Sequence, residues 1–215
     1  MNITGEQLRL YAVTDRTWAA DEEALFRQIE AAIDGGATVV QLREKHLDPG
    51  AFLAEAQRFT ALCRRRGVVS IINDNVDVAL QSGADGVHIG QEDLAAGEAR
   101  RLLGPGRIIG VSAHSVEEAL RAQAAGADYL GVGAAFATGT KTDARPILLE
   151  TIRSITASVA IPVVAIGGIT RENILELRHC GLAGAAVVSA LFAQKDVRTA
   201  AEELRQLCER IAEED

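Results

Sequence analysis

Short apolar runs alternate with longer segments of helical period along the chain. The runs are rich in β-branched residues, as is typical of strands covered on both faces, and they occupy residues 8–13, 39–42, 69–72, 86–89, 108–111, 129–132, 162–166 and 185–188. Between them apolar residues recur at helical spacing, as Leu25, Ile29 and Ile33 do after Asp21. The pattern predicts eight strands and eight helices in strict alternation.

Capping signals mark where several of these helices begin and end. Asp48 followed by Pro49 is typical of a helix start, and Gly67 of a helix end. Ser115 with Glu118 three residues later has the pattern of a capping box. Thr170 is predicted to cap a helix that carries Ile174 and Leu177.

A recurring glycine turn supports the strand count. Four similar turns join a helix end to an even-numbered strand, at residues 36–39, 83–86, 126–129 and 181–184, roughly every 45 to 55 residues. This repeat predicts an α/β fold with a single (β/α)8 TIM barrel as one domain over residues 1–215. Residues 8–192 would supply the strands and site loops, and residues 195–212 the final helix. A doubly wound open sheet is the alternative.

Composition narrows the classes of partner. The 215 residues carry a net charge of -8, which argues against a nucleic-acid or acidic-membrane surface. No apolar run is long enough to span a membrane, and no signal-peptide pattern opens the sequence. The three cysteines are widely spaced, as free thiols in a reducing compartment would be. We therefore expect a cytoplasmic protein that acts on small molecules, whose oligomeric state the sequence leaves open.

Polar residues cluster after the predicted strands, at the barrel end where active sites form. They are Gln41, Arg43, Glu44 and Lys45 after the second strand, Asn73 and Asp74 after the third, Asp93 after the fourth and Ser112 after the fifth.

Two groups of loops could hold phosphate. Thr138, Gly139, Thr140 and Lys141 follow the sixth strand and offer backbone N–H groups, hydroxyls and a positive charge. An ordinary strand-to-helix loop is the alternative. Gly167–Gly168 and Val188–Ser189 follow the seventh and eighth strands, where barrels often bind phosphate through backbone N–H groups. The alternative for these glycines is a tight turn.

Asp74 and Asp93 suggest a metal site. Two carboxylates among Arg43, Lys45 and Lys141 would be costly as a buried salt-bridge cluster. Mg²⁺ is commonly held by carboxylates together with phosphate oxygens, and this arrangement would account for the cluster. Asp93 alone could instead be a carboxylate in the first turn of a helix.

Seven ordered motifs resemble those of the thiamine phosphate synthase family, from about Tyr11 to Leu191. They are Gln41–Lys45, Ile72–Asp74, Gly86–Asp93, Gly110–Ser112, Gly131–Lys141 with Asp143 and Ala144, Ile166–Ile169, and Val187–Ala190. Alanine stands at 134 and 137, where that family usually has proline.

The resemblance implies a (β/α)8 barrel and a transferase reaction. A thiazole phosphate would displace pyrophosphate from 4-amino-2-methyl-5-(diphosphooxymethyl)pyrimidine to give thiamine phosphate. It implies catalytic roles for Lys141, Ser112 and Arg43, and one Mg²⁺ held by Asp74 and Asp93. The implied ligands of the pyrimidine diphosphate are Gln41, Leu42, Arg43, Glu44, Lys45, Asn73, Ser112 and Lys141. Those of the thiazole phosphate are Thr138, Gly139, Thr140, Gly168, Val188 and Ser189.

Three other functions remain as alternatives. A related thiazole tautomerase would lack the diphosphate and metal apparatus, which Lys45, Asp74, Asp93 and Lys141 here supply. A lyase of tryptophan biosynthesis would need an acid–base pair at the strand ends, and the sequence offers none. A non-catalytic binding protein would bind the ligands without turnover.

Overall fold

The computed structural model describes residues 3–91, 93–139 and 145–213. Eight parallel strands run through this part of the chain: β1 (Leu10–Val13), β2 (Val39–Leu42), β3 (Val69–Asn73), β4 (Gly86–Ile89), β5 (Ile108–Ala113), β6 (Tyr129–Val132), β7 (Val163–Ile166) and β8 (Gly184–Val187).

These strands form a closed barrel in sequence order, because the first strand also pairs with the last. Tyr11 of β1 lies opposite Val39 of β2 on one side and Ala186 of β8 on the other. The (β/α)8 barrel is thereby confirmed, and the open sheet is excluded.

Helices follow the strands on the outside of the barrel: α1 (Glu22–Asp34), α2 (Pro49–Arg66), α3 (Val76–Ser82), α4 (Ala96–Leu103), α5 (Val116–Ala124), α6 (Leu149–Ser158), α7 (Ser189–Phe192) and α8 (Val197–Ala212). Short 3₁₀ turns add Glu6–Leu8, Arg16–Trp18 and Ile174–Leu177. The predicted caps of α2 are confirmed: the Asp48 carboxylate accepts from Gly50 N and Ala51 N, and Gly67 ends the helix at φ 67°.

The helix predicted after β7 is wrong in both type and cap. Residues Ile174–Leu177 form only a 3₁₀ turn, and Thr170 does not cap it. The Asn173 carboxamide instead accepts from Thr170 N at 2.8 Å and donates to Gly168 O at 2.9 Å. These side-chain bonds to the backbone compete with a regular helix start.

The capping box predicted at α5 is half right. The Ser115 hydroxyl accepts from Glu118 N at 3.2 Å, as predicted. The Glu118 carboxylate accepts from His114 N rather than from Ser115 N, so the reciprocal bond reaches one residue further back.

Two apolar layers follow from the alternation of side chains along the strands. Tyr11 and Val13 point into the barrel, where they pack in a cluster that includes Tyr129. Leu10 and Ala12 point outward into the larger cluster between barrel and helices. None of the described helices has both the length and the apolar character needed to cross a membrane.

Candidate active site

The carboxyl ends of the strands meet at one rim, because all eight strands are parallel. Backbone hydrogen bonds continue past the strands and join neighbouring loops there. Thr14 N donates to Gln41 O at 3.0 Å, and Asp74 N donates to His88 O at 2.8 Å. The predicted polar residues after β2, β3, β4 and β5 therefore lie along one continuous edge.

Lys45, Asp74 and Asp93 form a charged cluster on this rim. Lys45 Nζ donates to Asp74 Oδ2 at 2.6 Å, and Gly90 N donates to Asp93 Oδ2 at 2.6 Å. Partial burial raises the pKa of Asp93 and the nearby Asp74 carboxylate raises it further, whereas the Gly90 hydrogen bond opposes the shift. The backbone of Asp74 is left-handed, with φ 61°, a conformation that is uncommon outside glycine.

The donor set of this cluster fits a hard cation with a preference for oxygen. Beyond the effect of burial, the Asp74 carboxylate raises the pKa of Asp93, so a cation bound between the two carboxylates would offset their repulsion. In residues 3–91, 93–139 and 145–213 no group of three or more His, Cys, Asp or Glu could enclose a metal ion. A cation here would therefore complete its shell with oxygens from water or substrate, as Mg²⁺ commonly does.

A chain of hydrogen bonds crosses the barrel interior and ends at Ser112. The Gln41 amide nitrogen donates to the Tyr11 hydroxyl at 2.8 Å, and that hydroxyl lies 2.7 Å from the Tyr129 hydroxyl. His88 Nδ1 is 3.0 Å from the Tyr129 hydroxyl, and His88 Nε2 is 3.0 Å from Ser112 Oγ. Both ends of the chain are residues predicted to contact the pyrimidine substrate.

Burial keeps the titratable side chains of this hydrogen-bond chain neutral. Desolvation lowers the pKa of His88 to about 4, although the Asp93 carboxylate acts in the opposite direction. Desolvation also raises the pKa of both Tyr11 and Tyr129. At neutral pH the interior therefore holds two phenols and one neutral imidazole.

The loops after β6 and β7 pack closely against each other through glycine. Phe136 N donates to Gly167 O at 3.0 Å. Gly168 has φ 65°, and a Cβ atom there would lie 2.4 Å from Ala137 O. Only glycine satisfies both the backbone angle and this close approach. Ser189 begins the short helix α7 after β8, so the predicted backbone phosphate donors Gly168, Val188 and Ser189 lie on adjacent strand ends.

The end of the β6 loop is described only in part. Thr138 is half-buried and Gly139 is exposed. Thr140 and Lys141, which the sequence assigns to substrate, lie outside the described residues.

A comparison with protein families bears directly on this rim. The family model for thiamine monophosphate synthase matches residues 10–191 of the sequence. These residues include all eight strands and the loops that carry the predicted site.

The chain belongs to the thiamine monophosphate synthase family.

Relatives across most of the chain agree with this assignment. A thiamine-phosphate synthase of Ruminiclostridium cellulolyticum is 48% identical over 198 residues, which cover 92% of this chain and 94% of that protein. A thiamine-phosphate synthase of Chloroflexus aurantiacus is 52% identical over 200 residues, which cover 93% and 92%.

Solved structures give the same result. A thiamine phosphate pyrophosphorylase from Pyrococcus furiosus superposes with a TM-score of 0.88 at 42% identity, covering 96% of this chain and 98% of that one. A 3-hexulose-6-phosphate synthase, at 17% identity and a TM-score of 0.68, shares the fold alone.

Membership of the thiamine monophosphate synthase family confirms three predictions from the sequence: the family resemblance, the transferase class and a role in thiamine biosynthesis. The activity is that of a thiamine-phosphate synthase, and it acts on small molecules. The names of these relatives favour the synthase over the two alternatives of a tryptophan-biosynthesis lyase and a non-catalytic binding protein.

Leu42 and Arg43 differ in what they can offer a substrate. The Leu42 side chain is fully buried in the outer apolar layer, so only its backbone can face the rim. The Arg43 guanidinium lies 3.8 Å from the Asp15 carboxylate, and Arg43 N donates to the Thr14 hydroxyl at 2.9 Å. Arg43 is thereby held at the rim between the loops after β1 and β2.

An ionic cluster that the sequence pattern does not predict lies behind this loop. Arg16 forms ion pairs with Glu44, at 2.9 Å, and with Glu55 of α2. Glu55 is 4% exposed, and desolvation raises its pKa, although the Arg16 pair acts against the shift. The available signal was the position of Glu55 three residues after Phe52, on the apolar face of α2. Glu44, predicted to contact substrate, is engaged here in fixing its loop.

Proposed function

We propose that the rim binds 4-amino-2-methyl-5-(diphosphooxymethyl)pyrimidine beside a thiazole phosphate and joins them, with release of pyrophosphate. The bond from the pyrimidine methylene carbon to the diphosphate oxygen breaks, and the thiazole nitrogen forms the new bond to that carbon. The products are thiamine phosphate and pyrophosphate. The observation that carries the proposal is the Lys45–Asp74–Asp93 cluster, where a cationic side chain lies beside two carboxylates and where partial burial, together with the nearby Asp74, raises the pKa of Asp93.

Asp74 and Asp93 would hold one Mg²⁺, completed by water and diphosphate oxygens. Bound there, the ion would neutralise charge that develops on the departing diphosphate. Lys45, whose side chain is 45% exposed, would exchange part of its contact with Asp74 for a diphosphate oxygen. Arg43 would provide a second cation from the same loop, and Lys141 a third from the loop after β6.

The pyrimidine would lie between the ends of the interior hydrogen-bond chain. The Gln41 carboxamide would bind its polar edge, with Asn73 from the neighbouring strand and backbone groups of Leu42 and Glu44. The Ser112 hydroxyl would donate to its diphosphate. No nucleophilic side chain is required, because the aminopyrimidine ring can stabilise positive charge at its methylene carbon as the diphosphate leaves. The protein would then act by aligning the thiazole nitrogen and stabilising the leaving charge.

The thiazole phosphate would bind across the loops after β6, β7 and β8. Backbone N–H groups of Gly168, Val188 and Ser189 would donate to its phosphate oxygens. Thr138, Gly139 and Thr140 would cover it from the β6 loop. The close packing of Gly168 against Ala137 sets the spacing between these two sides.

Product formation tests the proposal directly. The purified protein is mixed with both substrates and Mg²⁺, and thiamine phosphate is followed by oxidation to fluorescent thiochrome. We expect product only when both substrates and the metal are present, and none with EDTA. Tight binding of both substrates without product would contradict the proposal and support a binding protein.

A further inference from the structure

The interior hydrogen-bond chain has a direction, which follows from the number of hydrogens each group carries. The Tyr11 hydroxyl has one hydrogen and two polar neighbours, Gln41 and Tyr129. Because the Gln41 amide nitrogen donates to Tyr11, the Tyr11 hydrogen is left for Tyr129. By the same count, the Tyr129 hydrogen is donated to His88 Nδ1 at 3.0 Å.

This direction assigns the tautomer of His88. An imidazole that accepts at Nδ1 and is neutral carries its single hydrogen on Nε2. Nε2 lies 3.0 Å from Ser112 Oγ, so it donates to that oxygen. The Ser112 hydroxyl hydrogen is then directed away from His88.

We propose that His88 is a positioning residue that holds the Ser112 hydroxyl as a hydrogen-bond donor toward the substrate. The inference rests on the proposed role of Ser112 at the pyrimidine diphosphate. Reversal of the chain would turn the Ser112 hydrogen inward to Nε2 and leave only lone pairs for the substrate. That arrangement suits an anionic diphosphate poorly, whereas a donated hydroxyl hydrogen stabilises it.

The surroundings of the chain make its direction stable. Tyr11 is 2% exposed, Tyr129 is fully buried and His88 is 9% exposed, so water competes little for these groups. Reversal would require Gln41, at 4% exposed, to turn its carbonyl oxygen toward Tyr11. Gln41, at one end of the pyrimidine site, therefore determines through the barrel core that the Ser112 hydroxyl at the other end donates toward the substrate.

Nuclear magnetic resonance of the whole protein labelled with ¹⁵N-histidine tests the tautomer without any turnover. The protein has four histidines, and the NMR signals of His88 are identified as those that disappear in His88→Gln. We expect a neutral ring with its hydrogen on Nε2 at pH 7. A hydrogen on Nδ1, or a doubly protonated ring, would overturn the proposal even if the protein proves to be an active synthase.

Two substitutions of His88 separate positioning of Ser112 from a purely structural role. The Gln amide reaches the place of Nε2 and can donate to Ser112, whereas the Asn amide reaches only the place of Nδ1 and contacts Tyr129. We expect His88→Gln to keep kcat/KM within about threefold of the unmodified protein, and His88→Asn to lower it about tenfold.

The same pair is then compared in the Ser112→Ala background. There we expect His88→Gln and His88→Asn to have equal kcat/KM, because the oxygen that His88 positions is gone. If the two variants are equal while Ser112 is present, or still differ after its removal, the positioning role is wrong. Absence of turnover in the unmodified protein would instead contradict the proposed function, and the NMR result would still decide the tautomer.

Discussion

Lys45 Nζ lies 2.6 Å from Oδ2 of Asp74, so the loop after β2 supplies the countercharge for the loop after β3. Partial burial raises the pKa of Asp93, from the loop after β4, and the nearby Asp74 carboxylate raises it further. Three successive strands thus bring one cation and two carboxylates together at the rim. This is the part of the structure on which the account of diphosphate release depends.

Replacing Asp93 by Asn should separate activity from stability. Loss of one metal ligand should lower kcat by about 10²-fold at saturating Mg²⁺. In metal-free buffer the same change should leave the melting temperature equal or higher, because it removes repulsion with Asp74. Asp77→Asn, at an exposed position in the first turn of α3, is the matched control and should keep full activity. A fall in melting temperature with unchanged kcat would show that Asp93 is structural.

Lys141→Ala should lower turnover by about 10²-fold with little effect on stability. Lys141 lies outside the described residues, so this prediction rests on the family resemblance and on the need for cations around a leaving diphosphate. Lys195→Ala, at an exposed position between α7 and α8, is the control. Steady-state rates and melting temperatures of the two variants should differ only in the rates. Equal rates would remove Lys141 from the proposed site.

Gly168→Ala should harm both folding and thiazole phosphate binding. Its φ of 65° disfavours alanine, and the new methyl group would lie 2.4 Å from Ala137 O. Gly67→Ala provides a matched control, because Gly67 has φ 67° with open space around it. The control should lose about 1 kcal/mol of unfolding free energy from backbone strain alone. Gly168→Ala should lose about 1–3 kcal/mol more and raise the KM for thiazole phosphate. Equal losses in unfolding free energy, with an unchanged KM, would show that the contact with Ala137 is unimportant.

Stability should fall in mild acid because of His88. Burial lowers its pKa from 6.5 to about 4, so the unfolded chain takes up a proton first as the pH drops. The unfolding free energy should therefore decrease from about pH 6.5 down to about pH 4, by about 3 kcal/mol in total from this residue.

Denaturant titrations at several pH values would measure this loss. His88→Asn should flatten the pH dependence by that amount, whereas His46→Asn, at an exposed position, should not. Parallel curves for the unmodified protein and His88→Asn would contradict the assignment of the acid sensitivity to His88.

The fold could be predicted from the sequence because its signals are local and repeated. Each strand is a short β-branched run, and caps such as Asp48 and Gly67 act within one turn of the chain. The helix predicted after β7 failed for a local reason as well. The Asn173 side chain bonds Thr170 N and Gly168 O, and hydrophobic periodicity gives no sign of such side-chain bonds to the backbone.

The candidate site could be predicted only where its residues follow strands. The sequence predicts that Asp74 and Asp93 lie together because the carboxyl ends of parallel strands meet at one end of a barrel. The interior chain was missed, because Tyr11 and Tyr129 are 118 positions apart and resemble ordinary apolar strand residues. Arg16 and Glu55 were missed for the same reason, since the strand pattern carries no information about which loop reaches which helix.

The most direct test of the central claim is the affinity for pyrophosphate, measured by calorimetry with saturating Mg²⁺ and with EDTA. If Asp74 and Asp93 share the ion with the diphosphate, Mg²⁺ should tighten pyrophosphate binding by at least about tenfold. The same gain should appear in Asp77→Asn and be lost in Asp93→Asn. An equal Kd with and without Mg²⁺, or an undiminished gain in Asp93→Asn, would contradict the claim.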